Sequence, residues 1–315
     1  MESIFDALLL ANREGRKCAL GVITEVKGSS PQKQGAKALF FEDGTIMGTM
    51  GGGCLEAEIQ QRARQSLLSG EPAAFDLVLD HDFGWDDGLI CGGKVAGLII
   101  PGAEQYREIW EKASSRQTAA GWMICNNYSI CLTQEGSEAK PFYTEAILPR
   151  FHLWIAGSGH IAQAMAPLAV QLDFEVTVFD DRRALANRQI FPEPTHLRVG
   201  SWDSILAEEW PREKTVYGLI VTRGHQHDAL ALKSWIKRPF DFLGMIGSRR
   251  KKRLIFSQFM EEGISSAEEL EKVQCPVGLD IGSKTVFEIA ISIAGQMVEW
   301  RAAQRKVAPA VLPHE

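Results

Sequence analysis

After a short apolar run at Leu153–Ala156, the chain reads Gly157-Ser158-Gly159-His160-Ile161-Ala162 and continues with the helical periodicity of Ile161–Leu172. Few features restrict a fold as tightly. In G-x-G-x-x-A, the first glycine permits a tight turn out of a strand. The second lets backbone approach a phosphate, and the small third residue lets the helix pack close to the sheet. The helix N-terminus then offers free amides and the positive end of its dipole to an anion. Asp180 lies 21 residues after Gly159, at the end of the next strand-like run Glu175–Phe179, where an acidic residue can meet a ribose hydroxyl. Arg182 and Arg183 follow it and can face an extra phosphate or solvent.

This is a Rossmann-type beginning, and the residues after it keep the pattern. Apolar runs at Leu197–Val199, Val216–Val221 and Phe242–Ile246 alternate with helical stretches, which implies right-handed crossovers and a parallel sheet. Ser265 to Glu268 and Thr285 to Glu288 each have the spacing of a capping box. The second opens a long helix with Val286, Ile289, Ile293, Met297 and Trp300 on one face, suited to dock on the first domain or on a second copy of the chain. A homodimer is therefore expected.

Upstream the pattern differs. Ser3 can cap an amphipathic helix to Arg13, and strand-like runs follow at Ala19–Val26, Ala36–Phe41 and Thr45–Met50. A helix at Leu55–Leu68, strands near Phe75–Leu79 and Val95–Ile100, and further strands between Ala120 and Leu148 complete this half, with turns at Asn126-Asn127 and Glu135-Gly136. The expected organisation is α/β throughout. Residues 1–149 form a smaller N-terminal α/β domain, and residues 150–315 form a Rossmann-like domain with a terminal docking helix.

The net charge of −6 argues against general nucleic-acid binding. No apolar run approaches the ~20 residues that span a bilayer, and the N-terminus lacks the basic start of a leader, so a cytoplasmic protein is expected. Six cysteines in a reducing compartment should be mostly free thiols, and none forms C-x-x-C. Cys18, Cys125, Cys131 and Cys275 sit in apolar or strand-like surroundings and read as structural.

Three passages of the first half carry more chemistry: Gly28-Ser29-Ser30-Pro31 leading to Gly35-Ala36-Lys37, Gly51-Gly52-Gly53-Cys54-Leu55-Glu56, and Cys91-Gly92-Gly93. Cys54 falls at a helix N-terminus, where the helix end stabilises a thiolate and the glycines leave backbone open to a bulky ligand. Cys91 shares the glycine setting without a following helix. In the second half, Thr222–Asp228 and Gly244–Lys251 fall beyond strand ends, the edge where open parallel sheets bind ligands. There Ser248 can cap a helix, Gly247 and the helix amides can accept an anion, and Arg249 adds charge. In His225-x-His227-Asp228 two histidines lack a third partner, so no metal site is expected; hydrogen bonding by His225 and capping by Asp228 are.

In this order the motifs resemble the xanthine dehydrogenase accessory protein family of the XdhC/CoxI type. Asp180-Asp181-Arg182, Pro276–Gly282 and Glu288-Ile289-Ala290 add to the match, which covers nearly the whole chain. The resemblance implies an accessory protein rather than a metabolic enzyme. Such a protein binds molybdenum cofactor, supports exchange of a terminal oxo ligand for sulfur, and delivers the cofactor to a molybdenum hydroxylase, with a cysteine desulfurase as a second partner. It points to Cys54 and Cys91 as sulfur or molybdenum contacts. The cofactor's anionic pterin and phosphate tail would suit Gly51, Gly52, Gly53, Gly157, Gly159, His160, Asp180, Gly247, Ser248 and Arg249, and a nucleotide or NAD(P) could share the second domain. Two other readings stay open: an NAD(P)-dependent oxidoreductase using His160 or His225 as acid–base groups, which leaves the glycine-cysteine passages unexplained, and a docking protein whose Rossmann domain has lost its ligand.

Overall fold

The computed structural model describes residues 3–79, 93–133, 141–211 and 214–307. The Glu135-Gly136 turn lies outside these residues, as does Cys91. The chain folds as two compact units, one up to Leu148 and the other from Pro149.

In the first unit, helix α1 (Ile4–Glu14) starts at Ser3, whose side chain accepts from the Asp6 amide while Asp6 bonds back, a closed capping box. The described strands β1 (Cys18–Lys27), β2 (Lys37–Phe41), β3 (Ile46–Gly48), β4 (Ala73–Leu79) and β5 (Gly93–Pro101) form an antiparallel sheet in the order β3-β2-β1-β5-β4. Both faces of central β1 are buried, which is why it reads as an unbroken apolar run rather than an alternation. Ala19 and Ile23 face helix α2 (Gly53–Ser69) through Leu55, Ile59 and Ala63. Leu20 and Val22 face a second core containing α1, helix α3 (Arg107–Ser115) and a smaller antiparallel sheet of β6 (Ala120–Ile124), β7 (Ile130–Leu132) and β8 (Tyr143–Ile147), with β6 in the middle. Trp110 stacks on Phe5 and meets Trp122 edge-on in that core. Its indole nitrogen donates to the Ala103 carbonyl, so the buried ring leaves no donor unpaired.

The second unit is a Rossmann-like domain. Strands β9 (Phe151–Ala156), β10 (Phe174–Asp180), β11 (His196–Val199), β12 (Val216–Ile220) and β13 (Phe242–Met245) pair in parallel in the order β11-β10-β9-β12-β13. The chain starts at the centre, winds out to β11, then crosses back to β12, so the crevice beyond β9 and β12 is the topological switch point. Helix α4 (His160–Gln171) covers one face. Short helix α5 (Trp202–Ile205), α6 (His225–Trp235), α7 (Arg249–Glu261) and α8 (Ala267–Glu271) cover the other.

The last helix, α9 (Val286–Val307), opens with the expected box: Glu288 accepts from the Lys284 and Thr285 amides. Its expected apolar face, however, is used within its own unit. Ala290, Ile293 and Met297 are buried in the core shared with α4, because α4 alone leaves part of that sheet face open. The box before α8 is one residue later than expected: Ser266 caps the helix and pairs with Glu269. Among the described residues no helix is long and apolar enough to cross a membrane.

The two sides of α9 give a direct comparison. Ile293→Ala empties a fully buried site and is expected to cost about 2–5 kcal/mol in urea unfolding. Ile291→Ala, at a residue 47% exposed, should stay within about 0.5 kcal/mol of the parent; equal losses would refute this packing.

Candidate functional site

In the first unit the glycine passages meet. The loop Gly28–Pro31 leaves β1, and the start of β5 comes so close that a Cβ on Gly93 would lie 2.0 Å from the Ser29 carbonyl oxygen. On the other side, a Cβ on Gly51, itself at φ 125°, would lie 2.8 Å from Pro31. Glycine is thus demanded at both points by the approach of one loop to the other. This convergence sits at the N-terminus of α2. Gly52 is its cap residue, with no side chain bonding the first-turn amides, and Gly53 and half-buried Cys54 are its first two residues. The cysteine therefore lies in the first turn, at the positive end of the helix dipole.

Glu56, the acid that could oppose an anion here, is turned away into structure. One of its oxygens accepts from the Thr49 hydroxyl at 2.8 Å and the Met50 amide at 3.0 Å, which fixes the loop entering α2. Lys37 is also committed to structure, since its ammonium contacts Glu145 and the Gly35 carbonyl and lies over the rings of Phe5 and Trp122. Cys18 is buried and its sulfur contacts Glu104; burial pushes its thiol up, out of reactive range. Cys275 is buried too.

In the second unit, Gly157 at φ 114° brings the end of β9 against β12, since a Cβ there would lie 2.5 Å from the Val221 carbonyl oxygen. Gly159 caps α4 without any side-chain bond and has open space where a Cβ would be. His160, first in α4, is exposed. Ser158 is fully buried, and its hydroxyl has no hydrogen-bond partner.

Asp180 departs from the expected ribose contact. It is fully buried, and both oxygens are taken: one by the Arg182 amide and Nε, the other by the Ser158 amide and Arg182 guanidinium, all at 2.8–2.9 Å. Burial alone would raise its pKa, but these donors outweigh it and hold the carboxyl well below the usual carboxylate range. The outward-facing groups are its neighbours. Arg223, after β12, pairs with Asp181 through both terminal nitrogens and donates to His227 Nε2 at 2.8 Å.

Along the same edge, Ser248 caps α7 and accepts from the Lys251 amide, leaving Arg249 exposed at the first helical position. Lys251 folds back over Gly247 to pair with fully buried Asp228 and donate to the Ile246 carbonyl. Asp228 also accepts from the Thr222 amide and hydroxyl, so it ties a loop rather than capping a helix. His225 is exposed, and it is His227 that is hydrogen-bonded. Among the described residues no three His, Cys, Asp or Glu side chains are placed to hold a metal. The Asp228–Lys251 pair escapes sequence reasoning because its partners are 23 residues apart; the only hint is Gly247, four before the lysine.

These two units define an α/β protein with a cysteine at a glycine-rich helix N-terminus and a separate Rossmann domain. The family model described as XdhC Rossmann domain matches residues 153–297, and the XdhC and CoxI family model matches residues 11–80. The chain belongs to the XdhC and CoxI family. It is 25% identical over 334 residues to a Bacillus subtilis protein described as a probable xanthine dehydrogenase subunit, covering 95% of this chain and 97% of that protein. It is 24% identical over 299 residues to the Escherichia coli "Molybdenum cofactor insertion chaperone PaoD", covering 93% and 86%. It is also 27% identical over 291 residues to the Escherichia coli "Uncharacterized protein YqeB"; these are 92% of this chain but only 45% of that protein. A crystal structure from Bacillus halodurans, described as a xanthine dehydrogenase, shares the fold with a TM-score of 0.82 at 21% identity, over 96% of this chain and 97% of that one.

Because the folded-state pKa of Asp180 is depressed, its stabilisation is present above the ordinary carboxylate value of 3.8 and is lost as pH falls through the lower folded value. Asp180→Asn is therefore expected to cost roughly 2–4 kcal/mol at neutral pH, with the gap to the parent closing in strong acid. Urea midpoints against pH test this, and a gap that stays constant into acid would contradict it.

Proposed function

We propose that this chain is an accessory protein that binds molybdenum cofactor, supports replacement of a terminal oxo ligand by sulfur, and delivers the cofactor to a xanthine dehydrogenase-type hydroxylase. The observation that carries the reading is the meeting of Gly28–Pro31, Gly51–Cys54 and Gly93 at one uncapped helix N-terminus with a half-buried thiol in its first turn. The names of the Bacillus subtilis relative and of PaoD support the target class and the cargo. In this reading residues 1–149 form the cysteine-bearing domain and 150–315 the Rossmann-like one, and the protein works in the cytoplasm as a homodimer.

The cargo is anionic, and the site chemistry suits it. The Gly51 amide donates to the Thr49 hydroxyl, which shapes the loop, and Gly52 and Gly53 open α2 without a side-chain cap beside Cys54, whose sulfur is the contact for molybdenum or for sulfur. Cys91, two residues before Gly93, is the second candidate. A cysteine desulfurase would load the site by passing its terminal persulfide sulfur to a cysteine thiolate here, regenerating its own thiolate. In the other unit, the uncapped start of α4 at Gly157, Gly159 and His160, and the start of α7 at Gly247, Ser248 and Arg249, are two anion positions suited to a phosphate. The NAD(P)-dependent oxidoreductase reading is weaker, because the acidic residue a ribose would need is Asp180, already saturated by Ser158 and Arg182.

Anaerobic mixing with released molybdenum cofactor, gel filtration and oxidation to the fluorescent pterin tests the reading. Near-stoichiometric pterin in the protein fraction is expected, lowered roughly tenfold or more in Cys54→Ala. Pterin no higher than with an unrelated protein would overturn it. Labelled sulfur transfer from a desulfurase should be lost in a Cys54→Ala, Cys91→Ala double variant.

A further inference from the structure

Cys125 and Cys131 lie apart from the site above, and each alone reads as a packing cysteine. The fold makes them a pair. Strands β6 and β7 form a hairpin in which Met123 faces Cys131 and Ile124 faces Ile130. The turn between them is closed by the Tyr128 amide donating to the Cys125 carbonyl and the Cys125 amide donating to the Ser129 carbonyl. Side chains alternate faces along a strand, so Cys125 and Cys131 share one face as diagonal neighbours. Their sulfurs are 2.7 Å apart, and both residues are half-buried. The opposite face carries Trp122, Ile124 and Ile130 into the core, which fixes the register that brings the sulfurs together.

We propose that Cys125 and Cys131 form a thiol–disulfide exchange site that closes reversibly to an intramolecular disulfide in reaction with a low-molecular-weight disulfide. In the first step the Cys125 thiolate attacks one sulfur of the small disulfide. A Cys125–small-thiol bond forms, the original sulfur–sulfur bond breaks, and one thiolate leaves. In the second step Cys131 gives up its proton and its sulfur attacks Cys125. The protein disulfide forms and the second small thiolate departs. Two protein thiols are oxidised and one small disulfide is reduced to two thiols; excess small thiol reverses both steps.

The geometry asks little of the backbone. Closing from 2.7 Å to a bond of about 2.05 Å needs a shift of roughly 0.6 Å, on a hairpin whose turn is already bonded. Partial burial and the adjacent Cys125 sulfur push the Cys131 thiol up to about 11, so its sulfur attacks only once its proton has gone. Closure should therefore speed up as pH rises above neutrality. The inference does not depend on molybdenum cofactor.

The sequence supplies a clean test. Trypsin spares Lys140, which precedes Pro141, so cleavage after Arg116 and Arg150 gives one peptide holding both cysteines and no other. The reduced full-length protein would be incubated with glutathione disulfide, quenched with an alkylating reagent, digested and weighed. The expected result is one peptide that takes up no alkyl group and is lighter by two hydrogens, with little glutathione adduct, and that recovers both thiols in excess glutathione. Cys131→Ser should instead accumulate the glutathione adduct at Cys125. Two independently alkylated cysteines in the parent protein after incubation, or a stable glutathione adduct there, would overturn the proposal without recourse to a variant.

Discussion

Asp180 has no exposed surface and yet remains a carboxylate, because four donors from two short segments converge on it. Those segments are the phosphate-type loop after β9 and the turn after β10. Unpaired, a buried charge would cost several kcal/mol; paired in this way, it locks the two loops that define the crevice. The rest of the edge is arranged around it. With Asp180 turned inward, Asp181 is free to meet Arg223 across from the end of β12, and Arg223 in turn holds His227. Asp228 and Lys251 repeat the device one strand further out, tying the loop after β12 to the start of α7. The edge is thus a chain of carboxylate-to-loop ties, with the starts of α4 and α6 left without side-chain caps between them.

The first unit reaches a similar end by a different route. Among the described residues no buried charge organises its glycine passages; missing side chains do. Ser29 and Gly93, and Pro31 and Gly51, approach closely enough that a methyl group would separate them. The loops are held by contact. Glu56 accepts from Thr49 and Met50 through one oxygen, so this carboxylate is bonded into the loop. In both units a helix begins at a glycine with no side-chain cap, α2 in the first and α4 in the second.

Much of this was legible from residue order. The alternation after Phe151 predicts the parallel sheet, and Gly157–Ala162 predicts the turn into α4, because these depend on local periodicity and backbone freedom. What escaped was decided by pairing at a distance or by competition between equivalent groups. Asp180 has the right position for a ribose, but Arg182 two residues on reaches it first. Ser265 and Ser266 are each followed three residues later by glutamate, and only the extended backbone of Ser266 selects the cap. The docking face of α9 was readable, but its partner was not, since any exposed sheet face would satisfy the same stripe. Cys125 and Cys131 were separable from Cys18 only through hairpin register, which a one-residue slip would have destroyed.

The strand order of the second unit has a consequence for the newborn chain. Its central strand β9 emerges early, finds β10 soon after, and then waits, because on its other side His152 must meet Val216 far along the chain. Until β12 is made, the apolar run Leu153–Ala156 offers an open edge, and parallel pairing of this kind closes slowly. The first unit has no such delay, as every strand that β1 needs is complete by Pro101. Synthesis therefore passes through a stage in which the cysteine-bearing half is finished while the half that follows still has an unpaired centre.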